Sequence, residues 1–453
     1  MAEFQKFRYK SLEELKADIE RLGLNIPVTE DISPLAKPVK IGKHIAPNAF
    51  STLPMEGFDC LEDGTPSDLT RHRYLRYAAG GSGLIWFEAC AIVHEGKSNP
   101  CQMIFTEENL DSYKTLVADM DQASMESVGY KSLKILQISH SGRYSRPNDF
   151  FKREPVIVKH DPEFDTRVGI DETYPVQTDE ELEALIPHFV KAALLAKEAG
   201  LDGVDVKTCH RYLVSELLSC YNRPGKFGGS LENRASLPIQ IIKEIRKACG
   251  EDFIIASRFS VFDYHPYPVG FGASPEKGFP IADEGLELAK MFVEAGVDLL
   301  SASGGDVIKD PHVTRPYNQG VIGGKMPPEH PLEGVLRQMD FARQMKAVSG
   351  DIPYIGTCYS WLQEYLPNIG AAVMAAGDID MIGFGRGSFA YPDMPKDVLT
   401  GKVNPKKVCI ACSKCTQLMR DGAKIGCPIR EPDIYVPIYR QYRARMEEHL
   451  ANK

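Results

Sequence analysis

Four cysteines near the end of the sequence have the clearest capacity for chemistry. Cys409, Cys412, Cys415 and Cys427 follow the spacing Cys-x2-Cys-x2-Cys-x11-Cys, whereas the remainder of the 11 cysteines are scattered along the chain. Four thiolates at this spacing suit either an iron–sulfur cluster or a tetrahedral zinc ion. An odd number of cysteines, in a chain whose start lacks the apolar core of an export signal, favours a metal site over a disulfide framework.

The elements that must position reactive groups are short apolar segments typical of buried parallel strands. Eight such segments alternate with longer segments of helical periodicity, as βαβ units require. Several units share one order of features, namely a helix, a glycine stop, an aspartate and an apolar strand, as in AKEAGLDGVDV and AAGDIDMIGFGRG. The predicted strands are Phe50–Leu53, Gly83–Phe87, Leu133–Ile138, Gly203–Val206, Phe253–Arg258, Val297–Ser301, Pro353–Gly356 and Met381–Phe384.

Eight consecutive βα units without a compositional break predict an α/β fold, and favour a closed (β/α)8 TIM barrel over two doubly wound sheets. A helix precedes the repeat, because Ser11 and Glu14 form a capping box and Gly23 provides a stop. Long connections follow five of the strand ends, at the barrel face where ligands bind. These connections span residues 88–132, 139–177, 207–232, 259–282 and 302–331.

The composition excludes several classes of protein. A net charge of -9, without a sustained run of Lys or Arg, argues against a nucleic-acid binder or a protein of anionic membrane surfaces. The apolar share of 43% and the charged share of 25% are those of a globular protein with a large core. No stretch of about 18 apolar residues runs without interruption. We therefore expect a cytoplasmic protein.

The most specific stretch of the sequence is DGVDVKTCHRYLVSELLSCYNRPGKFGGSLENR, at residues 202–234. It resembles the Old Yellow Enzyme family of NADH:flavin oxidoreductases, for which GGSLENR is close to diagnostic. The similarity extends to GGSGLIWFEACAIV at the second predicted strand, LQISHSGR at the third, ASRFS at the fifth and DIDMIGFGRG at the eighth. This resemblance covers nearly the whole barrel, and it implies FMN as cofactor with NADH or NADPH as reductant.

Residues at the predicted strand ends suit a flavin. A flavin needs hydrogen-bonding groups at its pyrimidine edge, positive charge near N1 and O2, and backbone amides with an Arg at its phosphate. Gln137 and Arg258 suit the first two needs. The resemblance implies that both bind the pyrimidine, that Ala89 supplies a backbone contact, and that the ring lies against Pro54 and Met55. The phosphate site, after strands seven and eight, is predicted to comprise Gly356, Thr357, Cys358, Gly385 and Arg386.

The hexapeptide KTCHRY occupies the place of the family's substrate motif. In the family, a His and a His or Asn three residues later hold the substrate carbonyl, and a Tyr two residues further supplies a proton. The resemblance thus implies His210 as a hydrogen-bond donor and Tyr212 as the proton source. Lys207 replaces the first His and would favour a carboxylate-bearing substrate, unless it and Arg211, which replaces a usual Gly, form salt bridges. Glu56 either touches the substrate or caps a neighbouring helix.

The position of the cysteines favours an iron–sulfur cluster. In 2,4-dienoyl-CoA reductase and trimethylamine dehydrogenase, members of the wider family, a similar quartet after the eighth strand binds a 4Fe–4S cluster, with spacings that resemble this one without equalling it. Zinc and four free thiols stay open as alternatives. We expect residues 1–400 to form the FMN-binding barrel, with an N-terminal helical extension at 1–40. Residues 401–453 would form a cluster-binding extension that ends in a helix.

These features predict an FMN-dependent ene-reductase. NADH or NADPH would reduce the flavin, and hydride from flavin N5 with a proton from Tyr212 would saturate the C=C bond of an α,β-unsaturated carbonyl compound. The alternative is an amine dehydrogenase or N-demethylase that passes electrons from FMN through the cluster to an electron-transfer protein. Either function is compatible with a homo-oligomer.

Overall fold

Eight short parallel strands lie at the centre of the computed structural model, which describes residues 3–452. Apart from Arg258, every residue in them is buried, as is typical of parallel strands that helices cover on the outside. In chain order the strands are β1 (Phe50–Thr52), β2 (Leu84–Ala91), β3 (Leu133–Ser139), β4 (Gly203–Val206), β5 (Ile254–Ser260), β6 (Leu299–Ser303), β7 (Ile355–Gly356) and β8 (Met381–Phe384).

The strands follow one another around a barrel. From β1 to β6 each strand pairs in parallel with the next, and β8 lies between β1 and β7. A bridge between Leu300 and Tyr354 closes the seam between β6 and β7, where the Leu300 amide donates to the Pro353 carbonyl at 3.1 Å. The prediction of a (β/α)8 TIM barrel is therefore confirmed.

All eight predicted strands are present, and the largest difference in their bounds occurs at β2. The prediction ends this strand at Phe87, but residues 89–91 also pair with β3, beyond a bulge between Phe87 and Ala89. The polar Glu88 interrupts the apolar pattern at this bulge. Its buried carboxylate is compensated by an ion pair with Arg73, so the strand continues past a residue that is usually absent from a barrel core.

Helices connect the strands around the outside of the barrel. Within the described residues, no helix is both long and apolar enough to cross a membrane. A short antiparallel hairpin, Val39–Ile41 with His44–Ala46, precedes β1. The α-helices are Leu12–Arg21, Asp68–Ala79, Leu110–Val128, Pro162–Val168, Asp179–Glu183, Ile186–Glu198, Leu213–Leu217, Leu231–Cys249, Asp283–Ala295, Pro311–Thr314, Pro331–Ser349, Leu366–Ala375, Arg386–Ala390, Met394–Leu399, Lys414–Arg420 and Pro432–Ala451.

One predicted helix start is confirmed, and a second helix begins with a capping box. Ser11 caps the N-terminal helix with a side-chain hydrogen bond, and Thr178 forms a reciprocal capping box with Glu181. The second helix is nevertheless interrupted at residues 184–185 before it continues to Glu198. Pro187 explains the interruption, because it has no amide N–H to donate to the carbonyl of residue 183.

The segment after β8 packs back against the start of the barrel. The Ile425 amide donates to the carbonyl of Gly57 at 2.7 Å, shortly after β1. The Glu431 carboxylate contacts His72 at 2.8 Å and Arg76 at 2.5 Å, both on the helix Asp68–Ala79. These contacts hold the cysteine-rich segment close to the carboxyl end of β1. The first two residues and the last residue of the predicted domain bounds lie outside the described residues.

Candidate functional site

The carboxyl ends of the strands open into a cavity of about 520 Å³, a volume typical of small-molecule and cofactor sites. Its wall is built from the ends of β1, β3 and β5, from connections that follow the strands, and from the helix Lys414–Arg420. The predicted flavin and substrate residues that line it are Pro54, Met55, Gln137, Lys207, His210, Tyr212, Arg258, Thr357, Cys358, Gly385 and Arg386.

Asp205, on β4, fixes the two residues predicted to bind a flavin pyrimidine. Its carboxylate accepts a hydrogen bond from Gln137 Nε2 at 2.6 Å and from the backbone amide of Arg258 at 2.7 Å. Burial raises the pKa of Asp205 to about 7, although both hydrogen bonds act in the opposite direction. The Nε of Arg258 is buried and has no hydrogen-bond partner among residues 3–452, so this guanidinium has a donor available for a ligand.

The predicted phosphate residues lie after β7 and β8. At Gly385 a side chain would displace its neighbour, because a Cβ would lie 2.9 Å from the Sδ of Met55. Arg386 is only 5% exposed, and one of its nitrogens donates to the carbonyl of Pro316. Its Nη1 is buried without a partner in the described chain. A buried guanidinium with an unused donor is well suited to a phosphate.

Two predicted flavin contacts, Ala89 and Gly356, do not line the cavity. The carbonyl of Ala89 accepts a hydrogen bond from Gln102 Nε2 at 2.8 Å. Gly356 lies within β7, where a Cβ would approach the hydroxyl of Tyr359 to 2.9 Å. A direct contact of these two residues with a flavin stays a prediction.

On the substrate side, Tyr212, Glu56 and Lys207 form one polar group. The Tyr212 hydroxyl donates to Glu56 Oε1 at 2.6 Å, and the Lys207 ammonium lies 3.6 Å from the same oxygen. Lys207 Nζ also lies 3.7 Å from the centre of the Tyr212 ring. Burial, followed by the negative charge of Glu56, raises the pKa of Tyr212 well above its usual value. Lys207 therefore both lines the cavity and forms an ion pair.

His210 is held in a neutral state beside this group. Burial, with the positive charges of Arg258 and Lys207, lowers the pKa of His210 well below its usual value. Its Nε2 lies 3.1 Å from the hydroxyl oxygen of Ser303 at the end of β6. His210 and Arg211 both have positive φ, of 66° and 56°, a conformation that costs free energy for residues with a Cβ and is concentrated at functional sites.

Arg211 points away from the cavity. Its Nη1 donates to Asp263 Oδ2 at 3.0 Å and to the Val269 carbonyl at 3.1 Å, and its guanidinium stacks 4.1 Å above the ring centre of Phe164. The side chain is 1% exposed and does not line the cavity. Of the alternatives open for Arg211, the structure thus supports the salt bridge, which fastens the connections after β3, β4 and β5 to one another.

A sequence profile described as the NADH:flavin oxidoreductase / NADH oxidase family matches residues 34–299. The matched range contains β1 to β5, the flavin-side pair Gln137 and Arg258, and the substrate motif around Tyr212. The chain belongs to this family. Membership in the NADH:flavin oxidoreductase family agrees with the barrel, and with the placement of the predicted residues at the carboxyl ends of its strands.

Individual relatives in the family match most of the chain. The NADH oxidase of Thermoanaerobacter brockii is 30% identical over 381 residues, which are 83% of this chain and 52% of that protein. The cinnamate reductase of Clostridium sporogenes is 28% identical over 414 residues, 87% of this chain and 57% of that protein. The solved structure of 2-naphthoyl-CoA reductase has a TM-score of 0.70 at 24% identity, covering 91% of this chain and 58% of that chain, and shows the likeness of fold. The chain spans about half the length of these curated relatives.

The charge of the cavity is a feature of this family member that sequence reasoning missed. Seven arginines and Lys207 line the cavity, against one carboxylate, that of Glu56. Among the described residues, only Arg167 of these seven contacts carboxylates, at 3.1 Å from Glu163 and 4.0 Å from Asp306. Basic residues in loops have no periodic pattern. Only their position after predicted strand ends could have indicated that these arginines line the cavity. The arginines that were not predicted are Arg146, Arg153, Arg167, Arg315 and Arg420.

The four predicted metal-binding cysteines, Cys409, Cys412, Cys415 and Cys427, surround a small cavity of about 20 Å³ that Arg386 also lines. Between the first three, Ala411 and Ser413 have positive φ of 49° and 58°, and the Ala411 amide donates to Cys409 Sγ at 3.4 Å. Four thiols around one space, with an amide directed at sulfur, fit a metal–sulfur group. As they stand, no three His, Cys, Asp or Glu side chains in residues 3–452 are arranged to hold a single metal ion.

The helix Lys414–Arg420 joins the two cavities. Cys415 lies at the cysteine cavity, whereas Thr416, Met419 and Arg420 line the large cavity. Arg386 also lines both cavities. The cysteine segment is therefore part of the wall of the candidate active site.

Proposed function

We propose that the protein is an FMN-dependent ene-reductase that uses NADH or NADPH to reduce the C=C bond of an α,β-unsaturated carbonyl compound. One observation supports this most strongly: Tyr212, His210 and Lys207 converge on the same cavity as Gln137 and Arg258. Membership in the NADH:flavin oxidoreductase family supports the flavin and the nicotinamide reductant. A relative named cinnamate reductase supports an unsaturated substrate.

The cavity residues fit FMN. Arg258, with its unpaired Nε, and Gln137 would bind the pyrimidine, while Arg386, with its unpaired Nη1, would bind the phosphate. Pro54 and Met55 would hold the ring at the end of β1. When bound, FMN supplies the hydride that reaches the β-carbon of the substrate.

Tyr212 is the proton source for the α-carbon in this proposal. Because the pKa of its hydroxyl lies well above the usual value, Tyr212 keeps its proton at neutral pH until a developing carbanion accepts it. The Lys207 ammonium, 3.7 Å from the ring centre, stabilises the tyrosinate that is left behind, since a cation over an aromatic ring gains when the ring becomes negative.

His210 and Lys207 would polarise the activating carbonyl of the substrate. If the Ser303 hydroxyl donates to Nε2, at the observed 3.1 Å, the neutral imidazole carries its proton on Nδ1 and can donate it. Lys207 adds a positive charge near the enolate-like oxygen, where negative charge develops during hydride addition.

The alternative, oxidation of a methylated amine, fits the cavity less well. A protonated amine would enter a cavity lined by seven arginines and a lysine, and Glu56 is the one carboxylate among the described residues of its wall. Like charges on ligand and wall repel each other and lower the rate of association. The charge therefore favours a neutral or anionic substrate.

We also propose that Cys409, Cys412, Cys415 and Cys427 bind a 4Fe–4S cluster, which would exchange electrons with a separate carrier protein. Their shared cavity and the hydrogen bond that the Ala411 amide donates to Cys409 Sγ support this. Protein purified without oxygen is expected to contain iron and acid-labile sulfide in equal amounts. Cys412→Ser should lose both and keep its flavin. Zinc in place of iron would contradict the proposal.

Anaerobic spectroscopy of the two half-reactions tests the ene-reductase. NADH or NADPH should bleach the flavin, and 2-cyclohexenone should restore its colour. Tyr212→Phe should keep the first step and slow the second by about 10²- to 10⁴-fold, the usual contribution of a general acid. Tyr144→Phe is the matched control, because it removes a hydroxyl from the same cavity wall, with its ring centre 6.4 Å from that of Tyr212. Bleaching by trimethylamine and not by NAD(P)H, or unchanged re-oxidation of Tyr212→Phe, would refute the proposal.

A further inference from the structure

Four of the arginines that line the cavity form a patch that we name the arginine rim: Arg146, Arg153, Arg167 and Arg420. Arg146 and Arg153 belong to the connection after β3, Arg167 lies near the end of the helix Pro162–Val168, and Arg420 ends the helix Lys414–Arg420. Segments far apart in the chain thus bring like charges into one wall. Such charges repel one another, so a bound anion would stabilise the arrangement.

The protein itself leaves much of this charge uncompensated. Among residues 3–452, the side chains of Arg146 and Arg153 have no hydrogen-bond or ion-pair partner, and the Nε of Arg146 is buried. Arg420 donates to the carbonyl of Val307 at 3.1 Å. Burial, followed by the charges of Arg153 and Arg420, lowers the pKa of Arg146 to about 10, so the side chain stays protonated at neutral pH.

The arginine rim lies on the substrate side of the cavity. Tyr144, two residues before Arg146, has its ring centre 6.4 Å from that of Tyr212. The Arg146 guanidinium stacks 4.6 Å above the ring centre of Phe150, which also lines the cavity. By contrast, the residues that fit the FMN phosphate follow β7 and β8 and include Arg386. The rim arginines are therefore additional to the flavin site.

We propose that the arginine rim binds an anionic group of the substrate that is separate from its activating carbonyl. The inference rests on the proposed ene-reduction and adds a substrate class, namely enoyl compounds that carry a remote carboxylate or phosphate. Guanidinium groups bind both anions through paired, charge-assisted hydrogen bonds. A remote anchor of this kind would bind the substrate and the transition state alike, and would therefore lower KM without accelerating the chemical step.

Two pairs of compounds distinguish the two kinds of anion. Benzalacetone and its 4-carboxylate share one enone and differ by a remote carboxylate. The pantetheine and 4′-phosphopantetheine thioesters of crotonate share one enoyl group and differ by a remote phosphate. The wild-type holoenzyme should have a lower KM for the charged member of at least one pair, and that pair identifies the anion.

Arg153→Ala tests the rim directly, and it breaks no hydrogen bond or ion pair of the described chain. Relative to the neutral member of the pair, KM for the charged member should rise about tenfold to hundredfold, the effect of losing one hydrogen bond to a charged group. The kcat of Arg153→Ala for the charged member should change little compared with its KM. Arg153→Lys, which keeps the charge, should recover part of the loss.

Three outcomes would overturn the assignment. The first is equal KM for charged and neutral members in the wild type, and the second is an equal change for both in Arg153→Ala. The third is an effect confined to the Kd of NADH or NADPH in flavin reduction, which would assign the rim to the coenzyme phosphates. If no enone re-oxidises the flavin, the proposed function fails, but titration of the oxidised flavin absorbance with the same four compounds still tests the rim.

Discussion

Replacing Glu56 by glutamine tests whether this carboxylate acts through Tyr212. The Tyr212 hydroxyl donates to Glu56 Oε1 at 2.6 Å, so its proton is directed at the carboxylate and not at a substrate carbon. We expect this hydrogen bond to hold the phenol in the position from which its hydroxyl turns to the substrate α-carbon. A glutamine of nearly the same size can accept the hydrogen bond of Tyr212, but without the negative charge it holds the hydroxyl less firmly.

The size of the effect follows from the bond that changes. A hydrogen bond to a charged group contributes about 1.5–3 kcal/mol, and about 1.4 kcal/mol corresponds to a tenfold change in rate. Glu56→Gln should therefore slow re-oxidation of the flavin by an enone by about 10- to 150-fold. Lys207, which lies 3.6 Å from the Glu56 carboxylate, keeps its contact with the Tyr212 ring in this variant.

Stopped-flow absorbance of the reduced protein mixed with 2-cyclohexenone measures this step, and mixing the oxidised protein with NADH measures the first half-reaction. Only the re-oxidation by 2-cyclohexenone should become slower, whereas the reduction by NADH should keep its rate. In the Tyr212→Phe background, Glu56→Gln should have no further effect, because a residue that acts through the hydroxyl has nothing left to act on. An equal slowing in both backgrounds would show that Glu56 acts independently of Tyr212 and would refute this reasoning.

Three further predictions concern stability and cofactor retention. Arg211→Ala leaves Asp263 buried without its ion pair at 3.0 Å, and should lower the free energy of unfolding, measured by urea titration, by about 3–5 kcal/mol. A loss below about 1 kcal/mol would contradict the salt-bridge role of Arg211. Gly385→Ala places a methyl group 2.9 Å from the flexible end of Met55, so the fold should persist while the flavin is released more readily. Flavin fluorescence in the filtrate after ultrafiltration measures this release, and full retention of the flavin would contradict the assignment of Gly385 to the phosphate site. Burial lowers the pKa of His140 to about 4, so between pH 6.5 and 4 the unfolded chain binds a proton at this residue that the folded chain does not. As the pH is lowered through this range, His140 therefore reduces the free energy of unfolding by up to about 3 kcal/mol. Urea unfolding at pH 7 and pH 4.5 should show a smaller acid loss in His140→Gln than in the wild type, and equal losses would contradict this.

The barrel could be predicted because its strands are covered on both faces. Such strands are short and almost continuously apolar, and this pattern is visible without knowledge of their partners. Gln137 and Arg258 could be predicted for the same reason, since they lie at or near the carboxyl ends of recognisable strands. The end of β2 could not, because Glu88 is tolerated there only through its ion pair with Arg73, a residue on another element.

The substrate side of the site was harder to predict. Tyr212 and Glu56 are separated by 156 positions in the chain, and their hydrogen bond exists only because β1 and β4 open into one cavity. Whether Arg211 would face the cavity or the surrounding connections depends on the consecutive positive φ values of His210 and Arg211, which no propensity indicates. The arginine rim likewise depends on long-range folding, because its members come from loops and helices without a shared sequence pattern.

The helix Lys414–Arg420 has a consequence for how the protein matures in the cell. Its Cys415 belongs to the proposed metal site, and its Met419 and Arg420 line the candidate active site. Metal ligation of cysteines commonly supplies the free energy that orders the segment around them. A cell short of iron would then produce a barrel that still takes up flavin but presents an ill-formed entrance to substrate. Iron supply would in this way regulate turnover even if no electron ever left through the cluster.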